Sequence, residues 1–377
     1  MKVLITGGAG FIGTWLTAKL SELGHSTIVY DNLSSQIHGP IPRLAREEVL
    51  SNKHVEFRRG DICDREMLGA ALADCEAVVH LAAETGTGQS MYRIGHYYAV
   101  NHQATAEMFE AIALRYRQIK RVVIASSRSV YGEGAYRLNG AICVPDARDQ
   151  AAMQRGDFDL KGPQGEPLEL IGTPESAPAK PASVYAATKL ANEGLAQVVA
   201  KAYGLPVFAL RFQNVYGELQ SLKNPYTGIL SIFSNRMRKN EDINIFEDGR
   251  ESRDFVHVSD VIRGIILALE SSLPGFHAIN IGSGLPTSVM DVAELLKAIL
   301  SSRSRLIVSG DFRAGDIRHC YSDGTLAREL LGFTPSVGLT EGLTAFCRWV
   351  ETQPIAEDLS RVAQQQLASA GLGKLTE

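Results

Sequence analysis

The chain has 377 residues, 45% of them hydrophobic, a formal net charge of −4 and a sequence pI near 6.2. This charge argues against a nucleic acid or an anionic membrane as the main partner. Neither a signal peptide nor a long apolar segment is recognisable, so we expect a cytoplasmic protein. The five cysteines are scattered without a C-x-x-C pair. They predict neither a disulfide framework nor a metal site.

The chain begins with a pattern typical of a dinucleotide site. A strand-like run ends in the turn Thr6-Gly-Gly-Ala-Gly-Phe-Ile-Gly13, and a helix opens at Phe11 and Ile12. Gly7 and Gly10 allow close approach of a pyrophosphate, and Gly13 allows close packing of helix on strand. An ordinary connection between strand and helix is the alternative interpretation.

The second strand, His25 to Tyr30, ends in Asp31 about 20 residues past the turn. A carboxylate there accepts hydrogen bonds from both ribose hydroxyls of adenosine and repels a 2′-phosphate. We therefore predict NAD rather than NADP as cofactor. The alternative is an Asp-Asn turn that only ends the strand.

Further apolar strands alternate with helical stretches, which predicts an α/β fold with a Rossmann-type, doubly wound parallel sheet. The expected strands are Val55–Phe57, Ala77–His80, Val122–Ala125 and Val207–Leu210. Amphipathic helices are expected over Tyr97–Arg115 and Val184–Ala202. The second helix carries Tyr185 and Lys189 one turn apart on one face. A nearby ammonium favours the phenolate of a tyrosine, the form that acts as a base.

The strand over Val122–Ala125 runs into Ser126-Ser-Arg-Ser-Val-Tyr-Gly132, which places hydroxyl groups at the carboxyl edge of the sheet, where ligands bind. With these segments in order, the chain resembles an extended short-chain dehydrogenase/reductase of the nucleotide-sugar epimerase and dehydratase group over residues 1 to 350. The other matching segments are Asp31-Asn32, Gly60-Asp-Ile62, His80-Leu-Ala-Ala83, Asn101, Tyr185-Ala-Ala-Thr-Lys189, Leu210-Arg-Phe-Gln-Asn-Val-Tyr-Gly217 and Arg253-Asp-Phe-Val-His-Val258.

The resemblance implies a role for each matching position. Ser127, Tyr185 and Lys189 would be catalytic: Ser127 would bond to the reacting sugar oxygen, Tyr185 would be the base, and Lys189 would bind the nicotinamide ribose. NAD would be bound by Gly7, Gly10, Phe11, Ile12, Gly13, Asp31, Asn32, Asp61, Ile62, Leu81, Ala82, Ala83, Asn101, Tyr185 and Lys189. The nucleotide sugar would contact Thr85, Ser127, Asn214, Phe246, Arg253 and Arg313. Asn214 and the two arginines would hold the diphosphate, and Phe246 would cover the base.

The two residues after Ser127 reduce the number of reactions that the resemblance allows. Sugar 4,6-dehydratases carry an Asp-Glu pair at the positions of Arg128 and Ser129, so dehydration is disfavoured. A 4-epimerase remains, with NAD regenerated in each cycle. The runs 84–91, 224–228 and 246–253 resemble the group that interconverts dTDP-L-rhamnose and dTDP-6-deoxy-L-talose. The alternatives are a UDP-hexose 4-epimerase, an NAD(P)H-dependent 4-ketosugar reductase and, more distantly, a non-catalytic NAD sensor.

The polar run at Thr85, Thr87, Gln89 and Ser90 has two interpretations. It contacts the hexose, or it forms a loop that is hydrogen-bonded to itself. The sequence does not decide between them.

The chain organisation expected from these patterns has three parts. Residues 1–211 form the NAD-binding domain, residues 212–351 a nucleotide-sugar-binding lobe interleaved with the sheet, and residues 352–377 a peripheral tail. An insertion over about 134–181 is rich in Gly, Pro and charge and is expected to cover the mouth of the site as a lid. The helices 97–115 and 184–202 correspond to the dimer contact of the family, so a homodimer is expected.

Overall fold

The computed structural model describes residues 1–39, 47–222, 228–312, 316–355, 365–366, 369–370 and 372. Its strands are β1 Lys2–Thr6, β2 Ser26–Asp31, β3 Val55–Arg59, β4 Ala77–His80, β5 Arg121–Ser127, β6 Tyr136–Leu138, β7 Ala141–Cys143, β8 Glu169–Leu170, β9 Val207–Phe212, β10 Asn214–Tyr216, β11 Ile243–Ile245, β12 Ser252–His257, β13 Phe276–Ile281, β14 Pro286–Ser288, β15 Leu306–Val308 and β16 His319–Cys320.

The α-helices are α1 Phe11–Glu22, α2 Ser35–His38, α3 Glu47–Leu50, α4 Arg65–Ala73, α5 Thr87–Ser90, α6 Ile94–Tyr98, α7 Ala104–Leu114, α8 Gln150–Gln154, α9 Val184–Tyr203, α10 Ile229–Arg238, α11 Val258–Glu270, α12 Val289–Ile299, α13 Thr325–Leu331 and α14 Leu339–Thr352. A π-helical turn at Ala99–Gln103 joins α6 to α7, and a 3₁₀ turn at Arg128–Tyr131 follows β5.

The main sheet has seven parallel strands in the order β13-β9-β5-β4-β1-β2-β3. Chain order reverses between β1 and β4, which is the crevice where doubly wound sheets bind ligands. Apolar side chains of α1 and α11 pack on one face, and those of α4, α7 and α9 on the other. The predicted fold class is therefore confirmed, and each expected strand is present within two residues of its predicted ends.

A second lobe carries its own apolar core, formed by α10, α12, α14 and strands β11 and β12. Its strands form the small sheets β10-β12-β14, with β16 paired to β12, and β11-β15. The chain returns from this lobe to add β13 to the main sheet beside β9. This is the arrangement expected of a lobe interleaved with the sheet, while the exact domain limits stay a prediction.

The insertion forms a three-stranded antiparallel sheet in the order β7-β6-β8, together with α8. Side chains from it are buried, among them Tyr136, Met153 and Phe158. Its end is tied to the second lobe through backbone hydrogen bonds, from Thr173 N to Tyr321 O at 2.8 Å and from Asp323 N to Thr173 O at 3.0 Å. The insertion is thus anchored on the protein surface, and its action as a lid stays a prediction.

Candidate active site

The glycine turn has the geometry that a pyrophosphate site requires. Gly7 has φ +67°, and a Cβ on it would lie 2.7 Å from the amide nitrogen of Ala82. A Cβ on Gly13 would lie 2.5 Å from the Cα of Gly8. Gly10 is the N-cap of α1 and gives the helix no side-chain cap, so the first N–H groups of Phe11 and Ile12 remain available to an anion.

The predicted adenosine end is formed by side chains that follow β2 and β3. The Asp31 carboxylate accepts hydrogen bonds from the amides of Ala9 at 3.1 Å and Leu33 at 2.8 Å. Asn32 Nδ2 donates to Asp61 Oδ2 at 2.9 Å, and Ile62 is buried beside it.

His38 was not anticipated from the sequence. Its Nε2 lies 3.7 Å from Asp31 Oδ1 and it comes from the short helix α2, which has no motif of its own.

The segment after β4 is the one predicted to line the inner edge of the cofactor site. Leu81, Ala82 and Ala83 follow the strand, and the amide of Ala82 donates to Thr6 Oγ1 at 3.3 Å. Asn101 is almost fully buried in the π-helical turn. Its Oδ1 accepts from the amide of Glu84 at 2.8 Å, and its Nδ2 donates to the carbonyl of Glu84 at 3.1 Å. Asn101 therefore fixes this segment in place.

The polar run after Glu84 is hydrogen-bonded mainly to other segments of the chain. Gln89 and Gln36 exchange two amide hydrogen bonds of 3.1 and 3.2 Å. Ser90 Oγ accepts from the amide of Tyr185 at 3.1 Å, which fixes the start of α9. The carbonyl of Thr85 accepts from Tyr97 Oη at 2.6 Å, while its partly exposed side chain makes no hydrogen bond within the described residues. Gln89 and Ser90 thus hold this run against α2 and α9, and hexose contact by the run stays a prediction.

Ser127, Tyr185 and Lys189 come together at the carboxyl edge of β5. Ser127 ends the strand, and its hydroxyl is close enough to Tyr185 to lower the pKa of that phenol. Ser127 Oγ accepts a hydrogen bond from Ser129 Oγ at 2.9 Å. Lys189 Nζ lies 5.7 Å from the centre of the Tyr185 ring and donates to the carbonyl of Ala125 at 2.8 Å. Ser183 caps α9 by accepting from the amide of Ala186, so both functional side chains lie in the first two turns.

The electrostatics of this cluster are set by burial and by charge. Burial raises the pKa of Tyr185, while the nearby hydroxyl of Ser127 and the positive charge of Arg128 lower it. Burial lowers the pKa of Lys189 to about 8. Arg128 is a cation of this site. From the sequence it was notable only because it stands where dehydratases carry an acidic residue. Its neighbours come from distant segments, so no local pattern indicates its role.

A buried polar network links β5 to α9 and to the neighbouring strands. The Glu193 carboxylate accepts hydrogen bonds from Arg211 Nη2 at 2.6 Å and Nε at 3.0 Å, and from the hydroxyl of Ser126. Arg211 Nη1 donates to Tyr131 Oη at 2.7 Å, and Tyr131 donates to Asn280 Oδ1 at 2.8 Å. These contacts connect β5, α9, β9 and β13 next to the residue that precedes Ser127.

The predicted nucleotide side of the cleft is carried by the second lobe. Asn214 begins β10 and its Oδ1 accepts from Arg128 Nε at 2.8 Å. Arg253 on β12 is held by the carbonyls of Ser252, Ile317 and Arg318 at 2.7 to 3.0 Å. Phe246 is partly buried just after β11. Arg313 and the run 224–227 lie outside the described residues.

An ionic cluster built on two buried arginines joins the insertion to this lobe next to Phe246. Arg148 Nη1 lies 2.7 Å from Glu247 Oε2, and Arg318 Nη2 lies 2.8 Å from Asp159 Oδ1. A cavity of about 360 Å³ lies along the seam, lined by residues of the insertion and by Asp316 and Ile317. The insertion thereby fixes the position of the loop that carries Phe246.

Residues 3–150 and 160–282 match the model of the NAD dependent epimerase/dehydratase family. The chain belongs to this family. The family membership indicated by the sequence motifs is confirmed, and this epimerase/dehydratase is an enzyme that uses NAD, as predicted.

Three known proteins show how far this epimerase/dehydratase resembles others. It is 36% identical to the dTDP-L-rhamnose 4-epimerase of Burkholderia thailandensis over 96% of each chain. The solved UDP-glucose 4-epimerase of Thermotoga maritima, with UDP-glucose, is 30% identical, has a TM-score of 0.75 and is matched over 93% of this chain and 99% of that one. The UDP-glucuronic acid 4-epimerase of Bacillus cereus, with UDP-glucuronic acid and NAD, is 27% identical, with a TM-score of 0.72 and the same coverage.

Two features are absent from the described residues of this epimerase/dehydratase. None of the described helices combines the length and the apolar character needed to cross a bilayer. Within the same ranges, no group of three or more His, Cys, Asp or Glu side chains is placed to hold a metal ion.

Proposed function

We propose that this enzyme is a nucleotide-sugar 4-epimerase whose substrate pair is dTDP-L-rhamnose and dTDP-6-deoxy-L-talose. The observation that carries the reaction type is the meeting of Ser127, Tyr185 and Lys189 at the sheet edge beside the glycine turn. The choice of sugar is supported by the 36% identity to a dTDP-L-rhamnose 4-epimerase over 96% of both chains.

The side chains of the site divide the work of the reaction. Tyr185, as phenolate, takes the proton of the C4 hydroxyl and later returns it, and the Ser127 hydroxyl donates a hydrogen bond to the same oxygen. When bound, NAD supplies the hydride acceptor and donor at C4. The ammonium of Lys189 would bind the nicotinamide ribose. Binding of the nucleotide by Asn214, Arg253, Phe246 and Arg313 would hold the sugar at this edge.

The other reactions of the family are less well supported. Arg128 and Ser129 stand where 4,6-dehydratases need their acid and base. A ketoreductase that uses NADPH is disfavoured by the carboxylate of Asp31 at the predicted adenosine ribose. A purely NAD-sensing protein requires neither Tyr185 nor Lys189.

A UDP-hexose 4-epimerase is the second candidate. It is supported by the 30% identity and TM-score of 0.75 to a solved UDP-glucose 4-epimerase with UDP-glucose. Both candidate functions share the chemistry at C4 and differ in the nucleotide base and the hexose of the substrate.

The deciding experiment is turnover monitored by NMR with catalytic NAD and no added reductant. dTDP-L-rhamnose and UDP-glucose are offered separately, and we expect conversion of dTDP-L-rhamnose to its C4 epimer without accumulation of NADH. Conversion of UDP-glucose alone would support the second candidate. Turnover that needs stoichiometric NAD(P)H would refute an epimerase in favour of a ketoreductase.

We also propose a homodimer formed through α6, α7 and α9. Ile94, Tyr98, Leu114, Val198 and Tyr203 are exposed apolar side chains on these helices, and α9 packs against both others. Burying such side chains against a second copy is favourable. Light scattering should give the mass of two chains, and Val198→Asp should give one. A monomeric wild-type enzyme would refute the proposal.

A further inference from the structure

Arg128 is a largely unsatisfied cation next to the catalytic residues. A guanidinium has five N–H donors, and within the described part of the chain only Nε is used, in the 2.8 Å bond to Asn214 Oδ1. No described carboxylate lies within ion-pair distance of it. Arg211, by contrast, donates to Glu193, Tyr131 and the carbonyl of Glu175. A partly buried guanidinium without a counter-charge is costly, and an anionic ligand would remove that cost.

A second arginine increases the need for an anion. Burial lowers the pKa of Arg253, and the positive charge of Arg128 lowers it further. Carbonyl groups of the protein hold Arg253 in place, so the two like charges cannot separate freely. Two neighbouring guanidinium groups, neither of which is ion-paired to a described carboxylate, form a site for a group that carries more than one negative charge.

The hydrogen bond between Arg128 and Asn214 also orients the amide. Because Asn214 Oδ1 accepts from Arg128, its Nδ2 is the part left to donate to a ligand. Arg128 and Asn214 thus present donors only.

We propose that Arg128 is a substrate-binding residue that takes the β-phosphate of the nucleoside diphosphate and turns the Asn214 amide toward the same phosphate. The proposal rests on the proposed function, because it assumes a nucleotide sugar as ligand. The planar guanidinium pairs bidentately with phosphate oxygens. A sugar carboxylate is the other anion of suitable chemistry, and the contact with Asn214 on the second lobe favours the phosphate.

The assignment is tested by calorimetric binding to the NAD-loaded enzyme, which needs no turnover. The ligands are UDP and UMP, and dTDP and dTMP, so that each pair isolates the β-phosphate. For Arg128→Gln we expect affinity for the diphosphates to fall about ten- to hundred-fold, roughly 1.4 to 2.8 kcal/mol. Affinity for the monophosphates should change less than about two-fold, since they lack the contact. Arg128→Lys keeps the charge and should lose less.

The matched control is Arg137→Gln, which removes an exposed arginine of the insertion paired with exposed Glu169 at 3.2 Å. An unchanged ratio of diphosphate to monophosphate affinity in both Arg128 variants would refute the proposal. The proposal would also be refuted if the only effect of the Arg128 substitution were a lost preference for UDP-glucuronate over UDP-glucose. The guanidinium would then bind a sugar carboxylate. A different outcome would refute the proposed function alone: the wild-type enzyme does not epimerise the sugar, but its ratio of diphosphate to monophosphate affinity still depends on Arg128.

A readout specific to the charge is the ionisation of Tyr185. The positive charge of Arg128 lowers the pKa of this phenol, so its removal should move the pH dependence of turnover to higher pH. Arg128→Lys keeps the positive charge, so the pH dependence of its turnover should stay close to that of the wild-type enzyme. A pH profile unchanged in Arg128→Gln would contradict the placement of this charge beside the base.

Discussion

Replacing Glu193 by glutamine should destabilise the fold far more than the loss of an ordinary ion pair. Glu193 and Arg211 are both buried and are joined by bonds of 2.6 and 3.0 Å. Breaking one partner of a buried pair costs about 3–5 kcal/mol, because the other charge stays buried without compensation. Glutamine keeps one acceptor, so we expect the free energy of unfolding to fall by about 3 kcal/mol.

The chain offers a matched control with similar bidentate geometry in solvent. Arg305 Nε donates to Asp242 Oδ1 at 3.0 Å, and both side chains are exposed. Asp242→Asn should cost no more than about 1 kcal/mol. The two variants are compared by urea unfolding at a fixed NAD concentration, monitored by far-UV circular dichroism. A change in the unfolding midpoint at an unchanged m-value reports the change in stability. Equal losses in the two variants would refute the argument that burial sets the strength of the Glu193 pair.

Three further perturbations test separate parts of the structure. Gly7→Ala puts a Cβ 2.7 Å from the amide nitrogen of Ala82 and should abolish NAD binding in calorimetry, because the turn must open. Tyr185→Phe removes the base and should lower the turnover number about 10²- to 10⁴-fold in the NMR assay, with NAD affinity unchanged. Arg148→Met removes the buried 2.7 Å ion pair to Glu247, which keeps Arg318 at 3.0 Å as a partner, and should lower the free energy of unfolding in urea by about 1–3 kcal/mol.

Each of these variants has a control in the same chain. Gly24 has φ +80°, and no atom lies within 4 Å of the position that a Cβ would take there. Gly24→Ala therefore reproduces the backbone strain without the clash and should bind NAD normally. Tyr116→Phe alters a partly buried tyrosine just after α7, to which no role is assigned, and should be fully active. Arg137→Met removes an exposed pair of the insertion. If a control variant showed the same loss of NAD binding, turnover or stability as the variant it is paired with, the corresponding prediction would be contradicted.

The sequence predicted the parts of the fold that have local signals. Short apolar runs bounded by turns located β1, β2, β4 and β9, and the motifs supplied the candidate catalytic groups, whose roles stay a prediction. One continuous helix was expected over 97–115. The structure instead has a π-helical turn at Ala99–Gln103, where the Asn101 side chain bonds to the backbone of Glu84 in a distant loop. Such a turn depends on tertiary contact and leaves no periodic trace.

The residues missed from the sequence depend on partners far along the chain. Arg128 meets Asn214 86 positions later, and Arg148 of the insertion meets Glu247 99 positions later. His38 lies close to Asp31 only because a short helix comes after β2. Charged side chains of this kind are normally solvated, so only the folded chain shows which of them are brought into a cleft.

The position of β13 has a consequence for how the protein is made. β9 pairs on one side with β5 and on the other with β13, which is synthesised only after much of the second lobe. While the ribosome is still adding residues 213–275, β9 is an unprotected edge strand, open to pairing with other chains. A nascent or truncated chain that stops near residue 211 would therefore be prone to aggregate, and completion of the NAD-binding sheet must come after translation of most of the protein.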